Sequence, residues 1–181
     1  PGIVVVDECY FEFCGMTVAD LVQRYANLIV LRSFSKAFAL SGARFGYLIT
    51  NEKNVEYMQK AEGSSQVFAV NRFAHAAAAS VMKNREAARL FTQKYLTLKK
   101  KFEGLLKKIS GVSVIETQTC FCLLRTPLPS ALLAEKLKEK NIYIKSCSIY
   151  EGMDPNIAYL AVPREEDIDE FIITLTKFIN S

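Results

Sequence analysis

The chain has 181 residues, of which 50% are hydrophobic and 23% charged, with a formal net charge of +4. That mix belongs to a globular protein with room for a core and for one or two domains. No apolar run reaches the ~20 residues of a membrane-spanning helix, no basic start with an apolar core marks a secretory leader, and the modest charge gives no case for nucleic acid.

The first element expected is a strand over Ile3-Val-Val-Val6, a short continuous apolar run of the kind buried on both faces of a sheet. It ends in Asp7, with Tyr10 close behind. Ligands of open α/β sheets gather at the carboxyl ends of parallel strands, so Asp7 is placed to meet one. Residues 18–25 read as a helix, and residues 27–31 as a second apolar strand. Strand, helix and strand suit one βαβ crossover, which turns both strand ends toward one pocket.

The second strand runs into Ser33-Phe-Ser-Lys-Ala-Phe-Ala-Leu-Ser-Gly-Ala-Arg-Phe-Gly-Tyr47. A lysine at a strand mouth, here Lys36, can form a Schiff base with a carbonyl cofactor. The hydroxyls of Ser33 and Ser35 and the guanidinium of Arg44 are the donors a phosphate needs. Gly42 and Gly46 let the backbone come close or turn with positive φ. Together they suit a phosphorylated aldehyde, pyridoxal 5'-phosphate. Asp7 would pair with its protonated pyridine nitrogen, and Tyr10 would donate to a ring oxygen. A plainer reading stands beside each residue. Asp7 can cap a turn, Lys36 and Arg44 can be solvated cations, and the glycines can be simple turn residues.

Further along, residues 46–50 read as a strand, and residues 51–61 and 71–82 as helices with a loop around Gly63-Ser-Ser65. His75, the one histidine, falls in an alanine-rich helical stretch and reads as a packed or surface helix residue. Residues 85–109 form a long amphipathic pattern with Phe91, Tyr95, Leu98, Phe102 and Leu105 on one face, stopped at Ser110-Gly111. The lysines along it, Lys94, Lys99, Lys100, Lys101, Lys107 and Lys108, are expected on a solvated face. Strands follow at 112–115 and 120–124, then a Pro127-x-Pro129 loop and a helix at 130–140 capped by Ser130. Further strands at 142–145 and 157–162 and a helix at 165–179 close the chain. The five cysteines include Cys120 and Cys122, expected on one face of a strand. No metal-ligand spacing joins them, and free thiols fit a reducing, cytoplasmic setting. A composition shift near Asn84 divides residues 1–84, the tail of a parallel α/β domain, from residues 85–181, a small α+β domain.

VVVDECYFEF followed by NLIVLRSFSKAFALSGARFGYLI resembles fold-type-I pyridoxal-phosphate enzymes of the class I/II aminotransferases, and histidinol-phosphate aminotransferases most. The likeness runs along the whole chain and is specific over residues 3–50. It implies an α/β fold: the C-terminal part of a PLP-dependent transferase-like large domain, then a small α+β domain. It assigns cofactor contacts to Asp7, Tyr10, Ser33, Ser35, Lys36 and Arg44, with Lys36 catalytic, and puts Cys9 where the family has alanine. It implies a homodimer working on a small amino substrate and a 2-oxo acid. The family half that carries the ring-stacking aromatic and the phosphate-cradling helix end is not in this sequence. The chain is thus expected to be a C-terminal portion, poorly active alone, with residues 4–6 and 28–31 exposed.

Two departures concern the substrate. The family arginine of the late strand falls on Tyr159, or on Ala158 with a different gap, and a second one falls on Lys145. Lysine can hold an anion as a point charge, without the bidentate fork. Three functions follow from the resemblance: an aminotransferase, a decarboxylase resembling threonine-phosphate decarboxylase, or a catalytically inert domain that keeps the fold.

Overall fold

The computed structural model describes residues 2–62 and 70–180. They form an α/β fold in two compact units, Pro1–Gln93 and Lys94–Ser181. The division lies inside a helix, whereas composition places it near Asn84. The expected loop at Gly63-Ser-Ser65 lies outside the described residues.

The first unit is built on a three-stranded sheet of order β1-β2-β3, with β1 at Val4–Asp7, β2 at Leu28–Ser33 and β3 at Gly46–Ile49. β1 and β2 are parallel, with Asp7 opposite Leu31, and β3 returns antiparallel. β2 is central, so Leu28, Ile29 and Val30 are buried, and Leu28 and Val30 close a small cluster with Val22. The sequence expectation of an open edge at 28–31 therefore fails: both sides of the strand are paired. At β1 the expected exposure holds for Val4 and Val5, which are 50% and 55% exposed, and the reading of a strand buried on both faces does not, because the strand has a single neighbour and sits at the sheet edge.

The crossover holds no α-helix at 18–25. It is a 3-10 stretch, Ala19–Gln23, that buries only Val22; so short a connection closes with the tighter i→i+3 bonds. Helix α1, Phe11–Cys14, follows β1 and ends at Gly15 with φ 71, the left-handed exit that glycine allows without steric cost. Of the two glycines singled out in the lysine loop, Gly46 serves close approach: a Cβ there would lie 2.8 Å from the Arg32 carbonyl oxygen. Positive φ falls on Ala39 and Arg44 rather than on Gly42. Helices α2 (Glu52–Glu62) and α3 (Arg72–Lys83) follow. Asn71 caps α3 by accepting from the Ala74 N–H at 2.8 Å, and His75 lies exposed on it, as expected.

Helix α4, Arg85–Leu106, leads into the second unit. Its end tightens into i→i+3 bonds at Lys108 and Ile109 before Gly111 turns at φ 77. Strands β4 (Ser113–Ile115), β5 (Phe121–Arg125), β6 (Lys145–Ser146) and β7 (Ile157–Ala161) form an antiparallel sheet of order β4-β5-β7-β6. Alternation sends Cys122 and Leu124 of β5, and Ala158 and Leu160 of β7, to one inner face. Phe102 and Leu106 of α4, Leu133 and Leu137 of α5 (Ser130–Lys138), and Ile168 and Leu175 of α6 (Ile168–Ile179) cover it.

Four expectations change in this unit. Lys99 is buried, not solvated: its Nζ donates to the Thr117 carbonyl at 2.7 Å, Thr117 Oγ1 at 2.9 Å and the Thr119 carbonyl at 3.0 Å. A buried ammonium persists when its donors are satisfied. Ser130 does not cap α5; its hydroxyl donates to the Pro155 carbonyl and meets Ser146 Oγ, both at 2.7 Å. The strand expected at 142–145 pairs only at Lys145–Ser146, because Ile142 and Ile144 instead pack on the core. Cys120 precedes β5 and is half-buried, while Cys122 is fully buried.

Candidate functional site

The parallel register sets the carboxyl ends of β1 and β2 side by side. Asp7 stands exposed at the first, with Oδ1 accepting from the Cys9 N–H at 2.9 Å. Hydrogen bonds from the Cys9 side chain and then its backbone hold the carboxyl below its ordinary value, so Asp7 is an anion at neutral pH. The turn-cap geometry is therefore present, and it produces an exposed, ionised carboxylate. Burial first, and then the Asp7 bond, push the Cys9 thiol up to about 11. Tyr10 follows, and the Lys36 ammonium lies 5.9 Å from its ring centroid.

At the end of β2, Ser33 Oγ accepts from the Ser35 N–H at 3.0 Å, which folds the chain over toward Lys36. Phe34 anchors this loop: it is buried, stacks on Phe45 at 5.0 Å and packs on Phe38 and Tyr47. Lys36 itself is exposed. Arg44 takes a left-handed conformation (φ 51) at the head of β3 and donates to the Ser41 carbonyl at 3.0 Å. The outcome is one open cleft of about 520 Å³ lined by Cys9, Ser33, Ser35, Arg44 and Gly46 among others. Asp7 and Tyr10 line a separate depression with Thr17 and Val18. Among the described residues no bond joins Asp7 to Lys36, or Arg44 to either serine.

Lys145 and Tyr159 belong to the second unit, where they are direct cross-strand partners on β6 and β7. Lys145 Nζ donates to the Tyr150 hydroxyl, which raises its pKa above the ordinary value. Tyr159 packs on Phe121 at 4.6 Å, and burial raises its phenol. Ala158, the other position considered for the missing arginine, is fully buried in the core and offers nothing to a ligand.

Sequence reading missed the clamp beside the cleft. Glu8 is buried and accepts from the Val18 N–H at 2.7 Å, Thr17 Oγ1 at 2.8 Å and Arg32 Nη2 at 2.9 Å. Burial pushes its carboxyl upward, but these bonds outweigh it and Glu8 titrates below its ordinary value. Arg32 also lies 3.6 Å over the Phe11 ring. The one clue was register: Asp7 opposite Leu31 leaves Glu8 beside Arg32, and hydropathy patterning cannot reveal a buried charge pair.

A parallel strand pair ending in a carboxylate, a lysine loop and a serine–arginine cleft is the equipment of a known class of proteins. The family model for aminotransferase class I and II matches residues 1–175, and the chain belongs to that family. It is 30% identical over 180 residues to a histidinol-phosphate aminotransferase of Methanothermobacter thermautotrophicus, a match covering 98% of this chain and 48% of that protein. Among solved structures, the histidinol-phosphate aminotransferase of Clostridium acetobutylicum superimposes with a TM-score of 0.88 at 27% identity, over 98% of this chain and 54% of that one. The L-threonine-O-3-phosphate decarboxylase of Porphyromonas gingivalis gives 0.81 at 27% identity, over 98% and 55%. The chain spans about half the length of the curated relatives it matches.

Proposed function

We propose that this chain carries the lysine side of the cofactor site of a pyridoxal-phosphate-dependent aminotransferase, similar to histidinol-phosphate aminotransferases. The carrying observation is that Ser33, Ser35 and Arg44 line one cleft beside the ends of two parallel strands. The donor set fits a phosphorylated aldehyde. Two hydroxyls and a guanidinium suit a phosphate, an amine suits an aldehyde, and the exposed Asp7 carboxylate suits a protonated pyridine nitrogen. The close backbone approach at Gly46 keeps this side of the cleft free of a side chain.

When bound, the cofactor supplies an electron sink that stabilises negative charge at the carbon bearing the amino group. The chain's own residues do the rest. Asp7 would keep a proton on the pyridine nitrogen, Tyr10 would donate to the ring oxygen, and Ser33, Ser35 and Arg44 would hold the phosphate. Lys36 Nζ would be the amine that meets the aldehyde, and as a free amine it would move the proton at the substrate α-carbon. Lys145, with Tyr159 beside it, offers a point charge for a substrate anion. In this reading residues 1–84 are the end of the cofactor-binding large domain and residues 85–181 the small C-terminal domain. The substrates are a small amino compound and a 2-oxo acid, the enzyme is a cytoplasmic homodimer, and neither nucleic acid nor membrane is a partner. No described helix is long and apolar enough to cross a membrane.

A second reading, a decarboxylase resembling threonine-phosphate decarboxylase, is favoured by one departure. Tyr159 and Ala158 stand where the family places a carboxylate-gripping arginine, and a group that leaves as carbon dioxide needs no permanent grip. The third, an inert domain that keeps the fold, requires that Lys36 not react. Borohydride reduction with pyridoxal phosphate and peptide mapping tests the cofactor reading: label on Lys36 is expected, and label elsewhere or nowhere overturns it. A substrate panel then separates transamination from decarboxylation by the product formed.

A further inference from the structure

The first unit holds a second cavity, of about 260 Å³, that the cofactor reading does not use. Phe11, Phe38, Tyr47 and Met82 give it apolar walls, with Glu12 and Arg85 also on its lining. The walls are braced from behind. Phe11 carries the Arg32 guanidinium on its ring, Phe38 packs on the buried Phe34 at 5.2 Å, and Tyr47 is the cross-strand partner of Arg32.

Two opposite charges in this cavity are uncommitted. Glu12 Oε2 is buried and has no hydrogen-bond partner among the described residues. Such an oxygen is an exception in native structures and asks for a donor. Burial raises the Glu12 carboxyl above its ordinary value, while Arg32 and then Arg85 act on it through space in the opposite sense; among the described residues Arg85 makes no ion pair. The other two arginines on the lining are already paired, Arg32 with Glu8 and Arg89 with Glu86. A purely anionic ligand would leave Glu12 unmatched, and a purely cationic one would leave Arg85 unmatched. An uncharged apolar ligand would fill the walls and satisfy neither.

We propose that this cavity binds a free apolar α-amino acid as its zwitterion, the ammonium on Glu12, the carboxylate on Arg85, and the side chain against Phe11, Phe38, Tyr47 and Met82. The site is small enough for one such molecule and follows the usual plan of apolar walls with a few orienting polar groups. It shares Arg32 and Tyr47 with the lining of the cofactor cleft, but Lys36, Ser33, Ser35 and Arg44 take no part in it.

Calorimetric titration of the full chain tests this with L-phenylalanine and L-leucine, and with two analogues that each lack one charge. Phenylalaninamide has no carboxylate and 3-phenylpropanoate has no ammonium. Saturable binding of both amino acids is expected, with each analogue at least tenfold weaker. Glu12→Gln and Arg85→Ala should each weaken L-phenylalanine at least tenfold, and Lys36→Ala should leave it unchanged. Absence of saturable binding, or analogues that bind as well as the amino acid, would overturn the proposal, and neither outcome depends on a variant folding. Loss of binding in Lys36→Ala with Glu12→Gln unaffected would also overturn it, by placing the ligand in the cofactor cleft.

Discussion

In residues 94–181 a four-stranded antiparallel sheet covers one face with Phe, Leu and Ile from three helices, and most of those side chains are fully buried. In residues 1–93 a three-stranded sheet buries a cluster of only Val22, Leu28 and Val30, with β1 open on its outer edge. The second unit is stabilised mainly by removal of apolar surface from water. The first relies more on directional contacts: the Glu8–Arg32–Thr17 clamp, the aromatic stack on Phe34, and the fit of Gly46 against Arg32. The residues proposed for cofactor chemistry all lie in that first unit, where the core is thin and polar groups remain open to a ligand.

The largest expected effect tests the chemical side of this contrast. Lys36→Ala should abolish borohydride-trapped attachment of pyridoxal phosphate outright, read by mass spectrometry of the intact chain. Arg44→Ala should keep attachment and weaken cofactor affinity. A charge-assisted phosphate contact contributes roughly 1.5–3 kcal/mol, so a loss of about ten- to a hundredfold is expected from absorbance titration. If the two variants behave alike, the division of roles between Lys36 and Arg44 is wrong.

The stability of the two units should break in different ways. Phe102 is fully buried and meets Phe171 edge-on at 5.4 Å. Phe102→Ala should cost about 3–5 kcal/mol in urea unfolding, with little dependence on pH. Glu8→Ala leaves the partly buried Arg32 without its counter-charge, which costs up to roughly 3–5 kcal/mol, the range for a fully buried pair. That loss should depend on pH. Because the folded Glu8 titrates below its ordinary value, its contribution is complete above the unfolded carboxyl's pKa and disappears as pH falls through the folded one. The gap between wild type and Glu8→Ala should therefore narrow in acid. A gap that stays constant down to the acid transition would mean that Glu8 acts through packing rather than charge.

Much of this was legible in the chain, for identifiable reasons. Long periodic segments such as α4 and α6 announce themselves, because one face repeats with the helical period. The motif residues Asp7, Tyr10, Ser33, Ser35, Lys36 and Arg44 could be singled out by type and order, since chemistry constrains residue identity more tightly than packing does. Pairing-dependent features were hidden. Val4 to Val6 read as buried strand, yet burial depends on neighbours in the sheet that an apolar run cannot count. Lys99 read as a surface lysine because hydropathy does not know that the Thr117 and Thr119 carbonyls wait at the other end of its side chain. The Glu8–Arg32 pair appears only once the β1–β2 register is fixed.

The smallest expected effect sharpens the contrast within a single sheet. Val5 and Val30 are both β-branched residues on neighbouring parallel strands. By hydropathy alone they are equivalent, but Val5 is 55% exposed and Val30 is fully buried. Val→Thr keeps the shape and replaces a methyl with a hydroxyl, so it measures the cost of wetting or drying one polar group. At Val30 the hydroxyl would enter a dry cluster, and a penalty of about 1–3 kcal/mol follows. At Val5 it would meet water, and the change should stay within about 0.5 kcal/mol, since threonine suits an edge strand as well as valine does. Urea midpoints of the two variants, measured side by side, check this. Equal penalties at both positions would show that β1 is covered in solution, and the open edge would then have to be given up.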